Sequence, residues 1–330
     1  MRFVPHHRLP AEERARAVAC DGACEAGLQL SHWPGHRTPA EYRADLGVEA
    51  ALRFAREPLL TKRGPGLAYA TNDHHDADGV LSLFAVLQPN LALPRGASLA
   101  RAAAFSDFRH GTDEAALKLA AVLDGLRTSP ASPLAGALEG LAPHDADAHA
   151  TEQALAMLPS LLDDGAGLEA HRALWEEELG WFQTSGAALE AGEMQVTEVA
   201  PAGLTVVEWD AEAHPAVVDR VMAGDLVLHC IQAEQGVHYR ADWRYHSWAE
   251  TVSEERPRVR RVDLEKLCLP LNSLETNRRG RWLSAGYPGR GRTEALRFTN
   301  PAGEEMESHL QPTEVVQRLA WFLMERGGKA

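Results

Sequence analysis

Apolar residues in the first half of the chain recur mostly at helical spacing. Beyond about residue 192, short β-branched or alternating runs separated by turn residues take over. In "EYRADLGVEAALRFARE", Tyr42, Leu46, Ala50 and Phe54 share one stripe, which predicts a helix. "GPGLAYAT" is a short apolar run after a Gly/Pro breaker and predicts a buried strand. "VLSLFAVL" predicts a helix packed on that strand and ended by "QPN". "SLARAAAFSDF" suits either a strand or a helix, and "TDEAALKLAAVLDGL" predicts a helix with Thr112 as its N-cap. Residues 128–150, rich in Pro, Ala and Gly, read as a loop or linker, after which "TEQALAMLPSLLDD" and "LEAHRALWEEELGWF" resume helical periodicity. "MQVTEV", "GLTVVEWD", "DLVLHCIQ", "GVHYRADWRYHSW", "RRVDLEKLCLPLN" and "EALRFTN" read as strands, and "QPTEVVQRLAWFLMER" as a closing helix. Seven of the eight tryptophans lie at or beyond Trp175, so the two α/β regions have different cores.

Composition narrows the class. With 330 residues, 45% of them apolar and 24% charged, the chain is that of a globular protein with one large or two ordinary domains. A net charge of −14 argues against non-specific nucleic-acid binding, which depends on cations neutralising phosphates. Arginine outnumbers lysine and alanine is abundant, a composition that resembles a high-GC bacterial genome. Cys20, Cys24, Cys230 and Cys268 are too scattered for a disulfide framework and read as buried thiols. The charged N-terminus lacks an apolar h-region, and no apolar stretch approaches the roughly 20 residues of a membrane helix. The expected setting is cytoplasmic, without membrane contact.

The densest chemistry lies in "ATNDHHDADGVLSLF", where Asp73, His74, His75, Asp76 and Asp78 sit between the predicted strand and helix. An extended chain would point Asp76 and Asp78 the same way, at the carboxyl end of a strand where α/β sheets bind ligands. Carboxylates with imidazoles suit a divalent cation, Mn²⁺ or Mg²⁺ foremost, with Zn²⁺ and Fe²⁺ as alternatives. The N–H groups that open the following helix could receive an anion such as phosphate. A solvated polar turn is the plain alternative. An EF-hand is excluded, because placing Gly79 at its sixth position puts Ala85 where the bidentate carboxylate belongs.

"DADGV" resembles the first motif of haloacid-dehalogenase-type phosphatases, although "TNDHH" stands where that family's strand would still be apolar. "NDHHDADGVLS" more closely resembles the first motif of the DHH phosphoesterase superfamily over about ten residues. That resemblance covers only the N-terminal half. The separate Asp-His-His of the superfamily is here fused into the first motif, and the Gly-rich motif of its usual C-terminal domain is absent. It implies a DHH-like parallel-sheet α/β domain with a metal site over residues 1–165. An α+β region rich in strands would follow over 166–330 as a substrate-binding part or cap. It implies a metal-dependent hydrolase of a phosphodiester, phosphoanhydride or nucleotide-like bond, with Asp76 and Asp78 as ligands. "LSHWPGHRTP", "HHDADG" and "YHSWAE" together also resemble an uncharacterised bacterial family, which implies no activity.

The expected metal ligands are Asp76, Asp78, His75 and Asp107, the last from "FSDFRHG". Asp73, His74 and His75 are the expected catalytic groups. His32 and His110 are candidate substrate-binding residues, together with Arg240 and Arg244 on the cationic face of "HYRADWRYHSW". A small phosphorylated or nucleotide-like substrate is the expected partner, and a homo-oligomer is open. "PHDADAHATE" echoes the first motif but lacks its preceding strand and following glycine, so a solvated loop is expected there. The alternatives to a hydrolase are a non-catalytic binding or scaffold protein on the same fold and a dehalogenase-type phosphatase.

Overall fold

The computed structural model describes residues 1–57, 66–163, 166–285 and 293–327. The Gly64–Pro65 breaker lies outside the described residues. Two compact units are present, one of Met1–Gly180 with Ala249–Pro257 and one of Trp181–Trp248 with Arg258–Ala330.

The first unit holds strands β1 (Arg2–Phe3), β2 (Ala17–Cys20), β3 (Leu28–Leu30) and β4 (Tyr69–Thr71). They form an all-parallel sheet in the order β1-β4-β2-β3. Its helices are α1 (Gly47–Ala55), α2 (Ala77–Leu87), α3 (Pro89–Ala92), α4 (Gly96–Phe108), α5 (Glu114–Thr128), α6 (Ala135–Leu138), α7 (Pro143–Leu161) and α8 (Ala166–Glu169). The unit ends within α9 (Glu176–Ala191). Helix α2 is buried from Ala77 to Val86 and packs on α1, α4 and α7, which explains an apolar run without a polar stripe.

The second unit carries a mixed sheet of β5 (Gln195–Val199), β6 (Leu204–Trp209), β7 (Leu226–Gln232), β8 (Val237–Trp243), β9 (Arg281–Ser284) and β10 (Glu294–Thr299). The strand order is β5-β6-β7-β8-β10-β9, with only β6 and β7 parallel. Its helices are α10 (Pro215–Val221), α11 (Glu265–Leu274) and α12 (Pro312–Gly327). Leu226, Leu228 and Cys230 of β7 join Tyr239, Ala241, Trp243, Trp282 and Phe298 in one core, while Val227 packs with Val207 and Val218 on the other face. The fold class is therefore α/β, a parallel sheet with helices followed by a strand-rich mixed sheet.

Several local expectations are corrected. Residues 41–46 are not helical, because the Asp45 carboxylate accepts from the Val252 and Ser253 N–H groups and the Arg256 guanidinium. The cap of α5 is Asp113, not Thr112; its Oδ1 accepts from the Ala115 and Ala116 N–H groups. "PHDADAHATE" is not a loop but the start of α7. Pro143 occupies its first turn, and Ala146, Ala150 and Ala154 are buried along it. "RRVDLEKLCLPLN" becomes helix α11, burying Leu267, Cys268 and Leu271 at helical spacing; short apolar runs do not separate strand from helix. No helix among the described residues is long and apolar enough to cross a membrane.

Candidate metal centre

Three parallel strands deliver the centre from their carboxyl ends. Asp21 follows the last residue of β2, His32 lies just past β3, and Asn72 to Asp78 lead from β4 into α2. Asp21 occupies the left-handed region at φ 46°, a strained conformation for a non-glycine residue. Its N–H is held by the Leu30 carbonyl at 2.8 Å.

Two donor groups meet at Asp21. Its Oδ1 lies 3.1 Å from His32 Nε2, and that same nitrogen is 3.1 Å from Asp107 Oδ2 and 3.7 Å from Asp78 Oδ2. Its Oδ2 lies 3.4 Å from His74 Nε2, which is 2.9 Å from Asp76 Oδ2. The ligand atoms of Asp21, His32, Asp78 and Asp107 all fall within 4.8 Å of one another, as do those of Asp21, His74 and Asp76. Both imidazoles are oriented from behind. His32 Nδ1 donates to the Asp45 carbonyl, and His74 Nδ1 pairs with Asp73 Oδ1 at 2.9 Å. The Trp33 indole N–H donates to Asp21 Oδ1 at 3.1 Å.

Asp76 and Asp78 do not point together. The expected extended geometry ends at Asp76, the N-cap of α2, so Asp78 lies inside the helix and leaves at a different angle. Asp78 also anchors α1, its two oxygens accepting from the Gly47 and Val48 N–H groups at 2.6 and 2.7 Å. The expected anion site at the start of α2 is partly filled by the protein. Ala77 N–H donates to Asp124 at 2.7 Å, and Gly79 N–H to Asp76 at 2.8 Å. Glycine is needed at 47 and 79, where a Cβ would stand 2.6 Å from the Asp21 side chain and 2.2 Å from that of Asn72.

The electrostatics suit a cation. Burial, then the charges of Asp21 and Asp107, raise the Asp78 carboxyl well above its ordinary range, while the N–H groups of α1 favour its ionised form. Burial lifts Asp107 to about 7 against the opposing bond to His32. Burial also acts on Asp21, but bonds from His32 and His74 outweigh it and hold this carboxyl below the ordinary range. Both imidazoles are raised, His32 chiefly by Asp107 and Asp21 and His74 chiefly by Asp76, in each case against burial. Asp21 Oδ2 is buried, with His74 Nε2 3.4 Å away. A divalent cation would balance these crowded carboxylates with the ligands ionised, so the donor set fits a metal.

The other expected site residues are placed differently. His75 faces away from both groups. Its Nε2 is 2.9 Å from the Leu123 carbonyl and its Nδ1 2.9 Å from the Thr151 hydroxyl. Because a carbonyl only accepts, Nε2 carries the proton and Nδ1 accepts. His110 is exposed beyond the end of α4, outside both donor groups. The Arg240 guanidinium is held by Glu212 and Asp242, and that of Arg244 by the carbonyls of Met222, Ala223 and Gly224. Sequence reasoning missed Asp21, although "AVACDG" carries the signal of an apolar strand ending in Asp-Gly.

No curated protein matches this chain. Among solved structures, a pGpG-specific phosphodiesterase, PggH, from Vibrio cholerae aligns over 94% of this chain and 99% of its own, at 10% identity and a TM-score of 0.34. A likeness of that size carries no inference about activity. A family model spans residues 1–327, across both units, and the chain belongs to that family of unknown function (DUF6687).

Proposed function

We propose that this chain is a two-metal hydrolase that cleaves a phosphodiester or phosphoanhydride bond in a small, nucleotide-like substrate. One relationship supports it above all: the two oxygens of Asp21 face two different donor groups. Asp21 would therefore help to hold a cation in either group, with His32, Asp78 and Asp107 on one side and His74 and Asp76 on the other. Carboxylates with one imidazole in each group suit Mn²⁺ or Fe²⁺ better than Mg²⁺, with Zn²⁺ as an alternative. When bound, such a pair supplies an activated water and positive charge against the phosphoryl oxygens.

The chain's own residues do the positioning. The Asp45 carbonyl and Asp73 hold the His32 and His74 rings so that each Nε2 faces Asp21, and Trp33 steadies the shared carboxylate. The His74 side of the centre is the open one. His74, Asp76 and Asp73 are 21%, 27% and 36% exposed, whereas Asp21 and His32 are sealed, so substrate would approach from that side. The dehalogenase-type alternative is less well supported, because both Asp76 oxygens already engage Gly79 N–H and His74.

Metal analysis with a hydrolysis screen tests the proposal. Purified protein loaded with Mn²⁺ should hold two equivalents and hydrolyse at least one of a phosphodiester, a dinucleotide or pyrophosphate. Asp21→Asn should lose both equivalents, and Asp107→Asn only one. Full metal retention by Asp21→Asn would refute the shared centre. Metal binding without turnover of any of these substrates would favour a non-catalytic scaffold instead.

A further inference from the structure

A second constellation lies outside the buried centre. His7 comes from a short 3-10 turn, His6–Arg8, and His144 and Asp145 come from the first turn of α7. His7 Nε2 is 3.0 Å from Asp145 Oδ1, and His144 Nε2 is 3.7 Å from Asp145 Oδ2. The two imidazole rings meet edge to face at 4.4 Å between centroids. One ligand atom from each residue falls within 4.8 Å of the other two.

We infer that His7, His144 and Asp145 form a separate surface site for a borderline transition-metal ion such as Zn²⁺. Two imidazoles and one carboxylate are a zinc-type donor set, and they disfavour the oxygen-seeking Mg²⁺ and Ca²⁺. The side chains are partly exposed, so water can complete a tetrahedral shell. The ligands come from positions far apart in sequence, so a bound ion fastens the 3-10 turn to the start of α7. Two features limit the affinity. Arg8 Nη2 lies 2.7 Å from Asp145 Oδ1 and competes for the same oxygen, and the positive end of the α7 dipole is nearby. The ion must displace Arg8, which is 47% exposed and has room to swing into water. The inference stands independently of the buried centre.

Equilibrium dialysis of the full chain against Zn²⁺, followed by metal analysis, tests it. Wild-type protein should take up one equivalent more than the His7→Ala/His144→Ala variant, and Asp21→Asn should keep that equivalent. Arg8→Ala should bind this equivalent roughly fivefold tighter, because a like charge beside the ion has been removed. Thermal unfolding should shift upward with Zn²⁺ in Asp21→Asn, and the shift should vanish when His7→Ala/His144→Ala is added. The inference is overturned if the double-histidine variant, with an unchanged circular dichroism spectrum, binds as much Zn²⁺ as wild type. It is equally overturned if Asp21→Asn abolishes all uptake, since every ion would then belong to the buried centre.

Discussion

His32 donates through Nδ1 to the main-chain carbonyl of Asp45, and this leaves Nε2 facing Asp21 and Asp107. The Asp45 side chain meanwhile grips Val252, Ser253 and Arg256. Removing that grip should loosen the carbonyl that aims His32. Asp45→Ala is expected to weaken Mn²⁺ binding roughly 10- to 100-fold, the usual effect of losing an outer-shell support. Calorimetric titration checks it, and unchanged affinity would show that the carbonyl is held by the backbone alone.

The pH dependence of the metal-free protein has a definite sign. Asp107 is raised to about 7 and Asp78 is also raised, so the folded chain binds protons more tightly than the unfolded chain at these groups. Their contribution to stability is present at low pH and is lost as pH rises from about 4 through the folded values. The raised His32 and His74 act in the same direction above about 6.5. The depressed Asp21 acts oppositely, its contribution being lost only as pH falls below the ordinary carboxylate range. Ligation requires these protons to leave, so stabilisation by Mn²⁺ should grow with pH. Melting temperatures with Mn²⁺ and with chelator, taken from about pH 5 to 8, should diverge steadily; a constant gap would contradict the assignment.

Gly47→Ala sets two effects against each other. Alanine is favoured in a helix by up to about 1 kcal/mol. The new Cβ, however, would stand 2.6 Å from the Asp21 Cβ and 2.9 Å from its carboxylate, and such overpacking costs about 1–3 kcal/mol. Crowding should win. Denaturant unfolding should report a net loss of stability, and metal titration a weaker centre.

His75→Ala separates a structural histidine from a ligand. Its bonds to the Leu123 carbonyl and the Thr151 hydroxyl tie the start of α2 to α5 and α7. Losing them should cost about 1–3 kcal/mol while metal content stays at the wild-type level. A drop in bound metal with stability unchanged would reverse that assignment.

Much of the fold was legible because its signals are local. The strand "LAYAT" and the apolar helix after "DADG" were readable from their apolar runs, and the alternation in β8 announced its two faces. Where apolar spacing was short or alanine-rich, the local signal was ambiguous, as in α11 and the first turns of α7. At Asp45, long-range bonds removed residues from a helix that their spacing favoured.

The sequence by itself determined that carboxylates and imidazoles crowd the end of β4, because adjacent residues cannot avoid one another. Only the tertiary structure decided which of them converge. The start of α2 turns Asp78 away from Asp76, the parallel order β4-β2-β3 brings Asp21 and His32 alongside, and α4 carries Asp107 to the same point. His75, the neighbour of His74, is turned away by bonds to α5 and α7. Convergence is a property of strand order and helix packing, which span residues far apart in the chain, and local spacing does not encode it.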